Sequence, residues 1–472
     1  MSGGGSQDRR SRRDGARPGF LGREDTALLV DQYELTMLQA YWAEEMTETA
    51  VFSLFVRRLP EGRNYLLGCG IETVLAFLED FRFSEESIRY LRGTETFDDD
   101  FLTWLAELRF TGSVRAVPEG TPIFPDEPIL EIEAPMPEAQ VLETFVMNQV
   151  HVQTVLASKA ARVKTAAGHR TVADFGLRRM HGADAGLLSA RAFHVAGLDS
   201  TSNVLAGKIW GVPVTGTMAH SYIQAHGREL RAFRAFAETF PETILLVDTY
   251  DTLDGVRKVV RLAEELGEDF RVRGIRLDSG DLCALARESR RILDAGGLHD
   301  VKILASGGLD EWEIRRLVAE GAPIDGFGVG TGMGVAKDAP SLDMAYKLTS
   351  YAGRGRLKLS PGKRTLPGPK QVFRRTDAAG RSTGDVIARA AESLPGRPLL
   401  RTMMTDGRRT GPGESLEDAR ARARRELESL PPPLLELKRA EPPYPVEVSG
   451  DLERYTEEVT DAVRTEATEE DG

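Results

Sequence analysis

In the segment GTMAHSYIQ, His220 stands where an apolar stretch ending at Gly216 gives way to a helical pattern beginning at Ser221. A lone histidine beside apolar residues is ordinarily a satisfied structural group. At a strand end it can instead act as a general base, a ligand or a nucleophile that takes up a phosphoryl group. RLDSGDL sets Arg276 and Asp278 two residues apart, so a strand turns both to one face. Arg276 can clamp a carboxylate or phosphate. Asp278 can hold Mg²⁺ or a sugar hydroxyl, or the two can simply form an internal ion pair. LLVDTYD offers a second carboxylate, Asp248, and two aspartates near a phosphate suit Mg²⁺ better than a di-acid pair. ASGGLD (Gly307, Gly308) and DGFGVGTGMG (Gly330, Thr331) could present backbone N–H groups and a hydroxyl to a phosphate; the plain alternative is a glycine-rich turn. In DFGLRRMHG, Phe175 is by default a core residue and Arg178 and Arg179 solvated cations, yet a ring face beside a cation suits a flat anionic aromatic. No Ser-His-Asp order, cysteine nucleophile motif or zinc spacing stands out.

These residues need a scaffold that gathers them. TVADF, VPVTG, TILLV, RGIRLD, VKILAS and DGFGVG read as short apolar strands alternating with helical patterns, which implies a parallel sheet with right-handed crossovers. Such sheets carry their chemistry at the carboxyl ends of the strands, and the candidates above lie at or shortly beyond the ends of these segments. An α/β barrel over 141–355 is therefore expected to carry the active site. Residues 21–140, with a helix around Leu29–Tyr41 and strands broken by Pro and Gly, read as an α+β domain. EAQVLETFVMNQVHVQTVLASKAARVKTAAG is a long helix at the boundary. Residues 356–395 are basic and punctuated by Pro and Gly, and are expected to pack near the active site or the N-terminal domain. Residues 396–472 form a C-terminal extension, partly helical, whose acidic end TEATEEDG is expected to be disordered. The Gly- and Arg-rich residues 1–20 read as a disordered tail.

The 472 residues exceed a single compact core. The 61 basic against 73 acidic side chains give a net charge of −12, which argues against a general nucleic-acid binder but allows a local cationic pocket. No apolar run approaches the roughly 20 residues of a membrane span. Two distant cysteines, Cys69 and Cys283, fit a reducing, cytoplasmic setting.

LLVDQYELTM, FVRRLPEGRNYL, AVPEGTPIFPDEP, ASKAARV, FGLRRMHGADAG, GTMAHS, VDTYD, RLDSGDL, GVGTGM and KRTLPGPK, in this order over residues 26–375, resemble the nicotinate phosphoribosyltransferases, a type II phosphoribosyltransferase family. The resemblance implies an irregular α/β (TIM-like) barrel with an N-terminal α+β domain and a C-terminal extension. It implies conversion of nicotinate and phosphoribosyl pyrophosphate to nicotinate mononucleotide and pyrophosphate, in NAD salvage, with Mg²⁺ and with ATP as co-substrate. His220 would be the histidine that ATP phosphorylates. Tyr33, reaching from a partner subunit of a homodimer, and Phe175 would sandwich the pyridine ring. Thr217 and Arg276 would contact nicotinate, with Arg276 on its carboxylate. Arg178, Asp278, Gly307, Gly308, Gly330 and Thr331 would hold the ribose phosphate and pyrophosphate, Asp248 a metal, and Lys363 and Lys370 ATP or phosphate. The chain departs from the family's expected Ser-Asn at Ser306-Gly307. Ser202, where the nicotinamide-using relatives carry an acid, favours nicotinate. The alternatives are that nicotinamide enzyme and a catalytically silent scaffold of the same fold.

Overall fold

The computed structural model describes residues 22–360 and 365–469. The tail 1–20 and Lys363 lie outside the described residues. Helix α1 (Gln32–Ala43) leads into strand β1 (Thr49–Val56), which runs antiparallel to β3 (Leu130–Pro135); β2 (Ser113–Ala116) pairs with the other edge of β3. Strand Met344–Tyr351 returns from far along the chain to lie antiparallel against β1, and Arg401–Thr405 does the same against β2. The segment expected to form the barrel thus ends in a strand of the N-terminal sheet. Its residues Met344, Ala345 and Tyr346 are buried, and the ring of Tyr346 stacks on Phe52 at 4.8 Å between centroids.

Helix α2 (Glu143–Ala167) is buried along most of its length because it serves two cores. Val146 and Val150 pack with the N-terminal sheet, whereas Leu156, Ala160 and Val163 pack with the barrel.

The second sheet is six-stranded and all parallel. Its members are β4 (Thr171–Asp174), β5 (Ser200–Thr201), β6 (Ile244–Leu246), β7 (Gly274–Leu277), β8 (Lys302–Ala305) and β9 (Gly326–Val329), in the order β5-β4-β9-β8-β7-β6. The crossover helices bury residues at three- and four-residue spacing, as Val256, Val259 and Leu262 do in Thr252–Leu266. Edges β5 and β6 do not pair with each other, so the barrel is open on one side. VPVTG, expected as a full strand, contributes only the parallel bridge Thr201↔Val214. Pro213 has no N–H to extend a ladder. The sheet nevertheless curls: His220, beyond that bridge, lies 3.1 Å from Thr249, which follows β6.

Beyond the barrel, Lys370–Thr376 and Ser382–Arg389 form an antiparallel hairpin joined by Arg397–Pro398 and Val446–Val448. Lys370 reaches the N-terminal sheet at Ser53, 3.0 Å. Helix α3 (His220–His226) and helix α4 (Glu311–Ala319) belong to the barrel, and α5 (Leu416–Ser429) docks on helix Ala183–Val195. In the last helix, α6 (Gly450–Glu469), residues 465–469 of the acidic end continue the helix, and residues 470–472 lie outside the described residues. Buried Leu452 and Val459 anchor its first turns, and an anchored helix propagates at low cost per residue.

Candidate active site

The carboxyl ends of the six parallel strands meet on one side of the open barrel. The acidic residues that follow these strands have two distinct fates. Asp251, Asp281 and Asp310 turn back to accept backbone N–H bonds as helix N-caps, so their charge serves the helices. Asp248 and Asp278 remain at the mouth. One Asp248 oxygen, Oδ2, accepts from the Asp278 N–H at 3.0 Å and from Ser279 Oγ at 2.7 Å. The other, Oδ1, is buried without a partner. Asp278 Oδ1 accepts from the Ser306 hydroxyl, and its Oδ2 lies 3.9 Å from His220 Nε2.

His220 opens α3, with Nδ1 at 3.1 Å from Thr249 Oγ1 and a side chain 41% exposed, so Nε2 faces the mouth beside the Asp278 carboxylate. A histidine needed only for packing would be enclosed; this one is oriented at one nitrogen and reachable at the other.

Arg276 leaves the same strand as Asp278. Its Nη2 donates to the Met218 carbonyl at 2.9 Å, tying it to the segment that carries Thr217, while its buried Nε has no partner. Burial lowers the guanidinium's pKa; Asp278 and Asp248 counter this, and nearby Arg178 reinforces it. A buried cation with an unused donor is a receptor for an anion. Its guanidinium carbon sits 5.8 Å from the centroid of Phe175. The Phe175 ring rests on β9 at Gly328, where a Cβ would meet ring atoms at 2.5 Å. One flat face and one buried cation therefore adjoin.

The glycine turn after β8 is dictated by space. Gly307 has φ +87°, and a Cβ there would lie 1.8 Å from the Asp278 carbonyl oxygen. Asparagine tolerates positive φ, but here no side chain fits. Gly308 (φ +64°) has open space around it, and Gly330 and Thr331 begin the short helix Thr331–Gly334 on the neighbouring strand end.

The structure thus brings His220, Asp248, Asp278, Arg276, Phe175, Gly307 and the Met218–Thr217 segment together, with Arg178 close by. Tyr33 lies elsewhere in the chain, 48% exposed on α1 beside Glu34. The Glu34 carboxyl, buried next to it, is pushed up to about 7 by that burial. Lys370 is a correction: its ammonium is buried and bonded to Ser53, Glu131 and the Leu366 and Gly368 carbonyls, so it offers no free donor to phosphate. Sequence reasoning passed over Ser306, Ser279 and Thr249 as partners of the site. Each stands one residue from a residue singled out there, and only the curl of the sheet turns it inward. Among the described residues no group of three or more His, Cys, Asp or Glu is arranged to hold a metal.

Profiles of three parts of one enzyme family match in order. The nicotinate phosphoribosyltransferase (NAPRTase) N-terminal domain matches residues 28–151, the nicotinate phosphoribosyltransferase (NAPRTase) family residues 171–358, and the nicotinate phosphoribosyltransferase C-terminal domain residues 394–456. The nicotinate phosphoribosyltransferase pncB2 of Mycobacterium tuberculosis is 54% identical over 433 residues, spanning 91% of this chain and 93% of that protein. The crystal structure of human nicotinic acid phosphoribosyltransferase superposes with a TM-score of 0.82 at 30% identity, over 92% of this chain and 100% of that one. The nicotinate-nucleotide pyrophosphorylase structure from Pyrococcus furiosus superposes at 0.73, with 26% identity, over 88% and 99%. An open, irregular TIM-like barrel with anion-receptive strand ends defines the class. The chain belongs to the nicotinate phosphoribosyltransferase family.

Proposed function

We propose that this protein joins nicotinate to phosphoribosyl pyrophosphate, giving nicotinate mononucleotide and pyrophosphate, with ATP hydrolysed through a phosphorylated His220, as a step of NAD salvage. The observation that carries this reading is the convergence of His220 Nε2, Asp278 and buried Arg276 beside Phe175, in a chain of this family. The pyridine ring lies on Phe175 and its carboxylate meets Arg276, whose Nε lacks a partner. Thr217 precedes Met218, whose carbonyl accepts from Arg276, and would contact the same ligand. The ring nitrogen attacks C1 of the sugar with its own lone pair, and the C1–oxygen bond to pyrophosphate breaks. No general base is required; the work is positioning and charge stabilisation. Arg178 and the Gly307-Gly308 and Gly330-Thr331 turns receive the phosphates. The partnerless Asp248 Oδ1, with Asp278 beside it, suits Mg²⁺, which would neutralise phosphate charge there. With Nδ1 at Thr249, Nε2 is the nitrogen open to a phosphoryl group.

Tyr33, half-exposed on the N-terminal unit, supports a homodimer in which it covers the ring in a partner's site. The free, buried cysteines support a cytoplasmic setting. Ser202 and the cation at Arg276 favour a carboxylate over an amide.

The test supplies phosphoribosyl pyrophosphate and Mg²⁺ with nicotinate or nicotinamide, with and without ATP. Expected is nicotinate-selective product, stimulated by ATP in the wild type but not in His220→Ala. Product from nicotinamide alone assigns the sister activity, and no product from either base in folded protein leaves a scaffold.

A further inference from the structure

Deep in the protein, Lys159 of α2 is 2% exposed and carries a full charge's worth of contacts from two separate turns. Its Nζ lies 2.5 Å from Glu311 Oε2 and 2.6 Å from Asp338 Oδ1. Glu311 is the first residue of α4, immediately after the turn holding Gly307 and Gly308. Asp338 follows the short helix that begins at Thr331. One ammonium therefore joins the segments that leave β8 and β9, the two strand ends read above as phosphate turns. The two segments also run close together, since a Cβ on Gly332 would sit 3.2 Å from the Leu309 carbonyl oxygen.

Each carboxylate has a second tether. Arg63 Nη1 lies 2.6 Å from Asp338 Oδ2, and Arg162 Nε 3.1 Å from Glu311 Oε1. Arg63 and Arg162 are themselves buried, and Arg162 Nη1 also donates to the Gly62 carbonyl at 2.8 Å. Three cations against two carboxylates leave a surplus of one positive charge behind the turns. A buried ion network is a poor way to add stability, because desolvation offsets much of the attraction. It is an effective way to fix geometry, because each bond is short-ranged and directional.

We infer that Lys159 is a positioning residue for the phosphate end of the site, holding the Gly307-Gly308 and Gly330-Thr331 turns at one separation through Glu311 and Asp338. This rests on the reading of those turns as the seat of phosphoribosyl pyrophosphate. The spacing between two sets of backbone donors decides whether both reach one polyanion, and a misplacement of about 1 Å can cost on the order of a hundredfold.

Asp338 is the place to test it, because its side chain is 36% exposed whereas that of Glu311 is fully enclosed. Asp338→Asn releases one turn and leaves Lys159 on Glu311. In steady-state assays we expect KM for phosphoribosyl pyrophosphate to rise at least about tenfold, with KM for nicotinate within about twofold of wild type. Asp338→Glu, which keeps the charge, should recover most of the loss. A general loss of folded enzyme would lower kcat and leave both KM values alone. That result, an unchanged KM for phosphoribosyl pyrophosphate, or an equal rise in both KM values would overturn the inference. If the wild type makes no mononucleotide, the proposed activity fails by itself. Calorimetric titration with pyrophosphate then decides the clamp: weaker binding to Asp338→Asn than to wild type supports it, and equal binding rejects it.

Discussion

Gly307 shows how narrowly one atom can be constrained. An added methyl would fall 1.8 Å from the Asp278 carbonyl, in a backbone conformation of φ +87° that already disfavours it. Asp278 is the residue beside His220, so the strain would be delivered to the site itself. Gly307→Ala is expected to lose about a hundredfold or more in kcat/KM while remaining folded. Kinetics on protein whose circular dichroism matches wild type would check this, and near-normal turnover would show that the turn can move. His220 makes the complementary case, since its side chain is exposed at the mouth: loss of ATP stimulation in His220→Ala, with basal transfer retained, is the outcome the proposed role predicts. Neither residue's constraint is visible in its neighbours along the chain. It comes from Asp278 and Thr249, which arrive on other strands.

At the level of elements, α2 ties the two cores together, and His151 is one of its fasteners. His151 Nε2 accepts from the Leu342 N–H at 2.9 Å, just before the strand that completes the N-terminal sheet. That bond needs a neutral imidazole, and burial lowers the histidine's pKa below its ordinary 6.5. Between the lowered folded value and 6.5 the unfolded chain binds more protons, so stability there rises with pH. The contribution is complete above the unfolded value and is lost as pH falls through the folded one. The urea midpoint should therefore drop between about pH 7.5 and about pH 5.5, and His151→Gln, whose amide oxygen can accept the same bond, should show a shallower drop. An identical slope in the variant would remove His151 from the account. The C-terminal helix α5 is fastened differently. Arg420 donates to the His194, Gly197 and Leu198 carbonyls, and Glu417 lies 2.6 Å from His194 Nε2, so the extension belongs to the barrel's outer layer.

Across the whole molecule, Tyr33 and His220 belong to different units, and the proposed dimer makes that separation functional. If Tyr33 acts in a partner's site, Tyr33→Ala and His220→Ala subunits damage different members of each shared pair. Unfolding and co-refolding, or co-expression, of the two variants should then restore about a quarter of wild-type ATP-stimulated activity, as random pairing gives half heterodimers with one intact site each. Activity no higher than the sum of the parents would place Tyr33 in its own subunit's chemistry or outside it. No helix among the described residues is long and apolar enough to cross a membrane.

The order of the candidate site residues was legible in the chain, because alternating strand and helix patterns put Phe175, His220, Asp248, Arg276 and Asp278 at or just beyond the ends of apolar segments and short-range rules govern that periodicity. The resemblance carried by the motifs supplied the reaction, and the family profiles bear that out. Other features depended on contacts between residues far apart in sequence. Lys370 lay in a matching motif yet is spent inside the N-terminal sheet, where Ser53 and Glu131 claim it. Strand Met344–Tyr351 joined a sheet begun some three hundred residues earlier. Asp251 and Asp281 read like Asp248 and Asp278, and only the direction in which the chain leaves each strand made the first two helix caps. Local pattern determines what a segment becomes and which residues end it. Which of those residues face one another is decided by how the sheet curls and which buried charges must be paired, and that is settled only when the whole chain is packed.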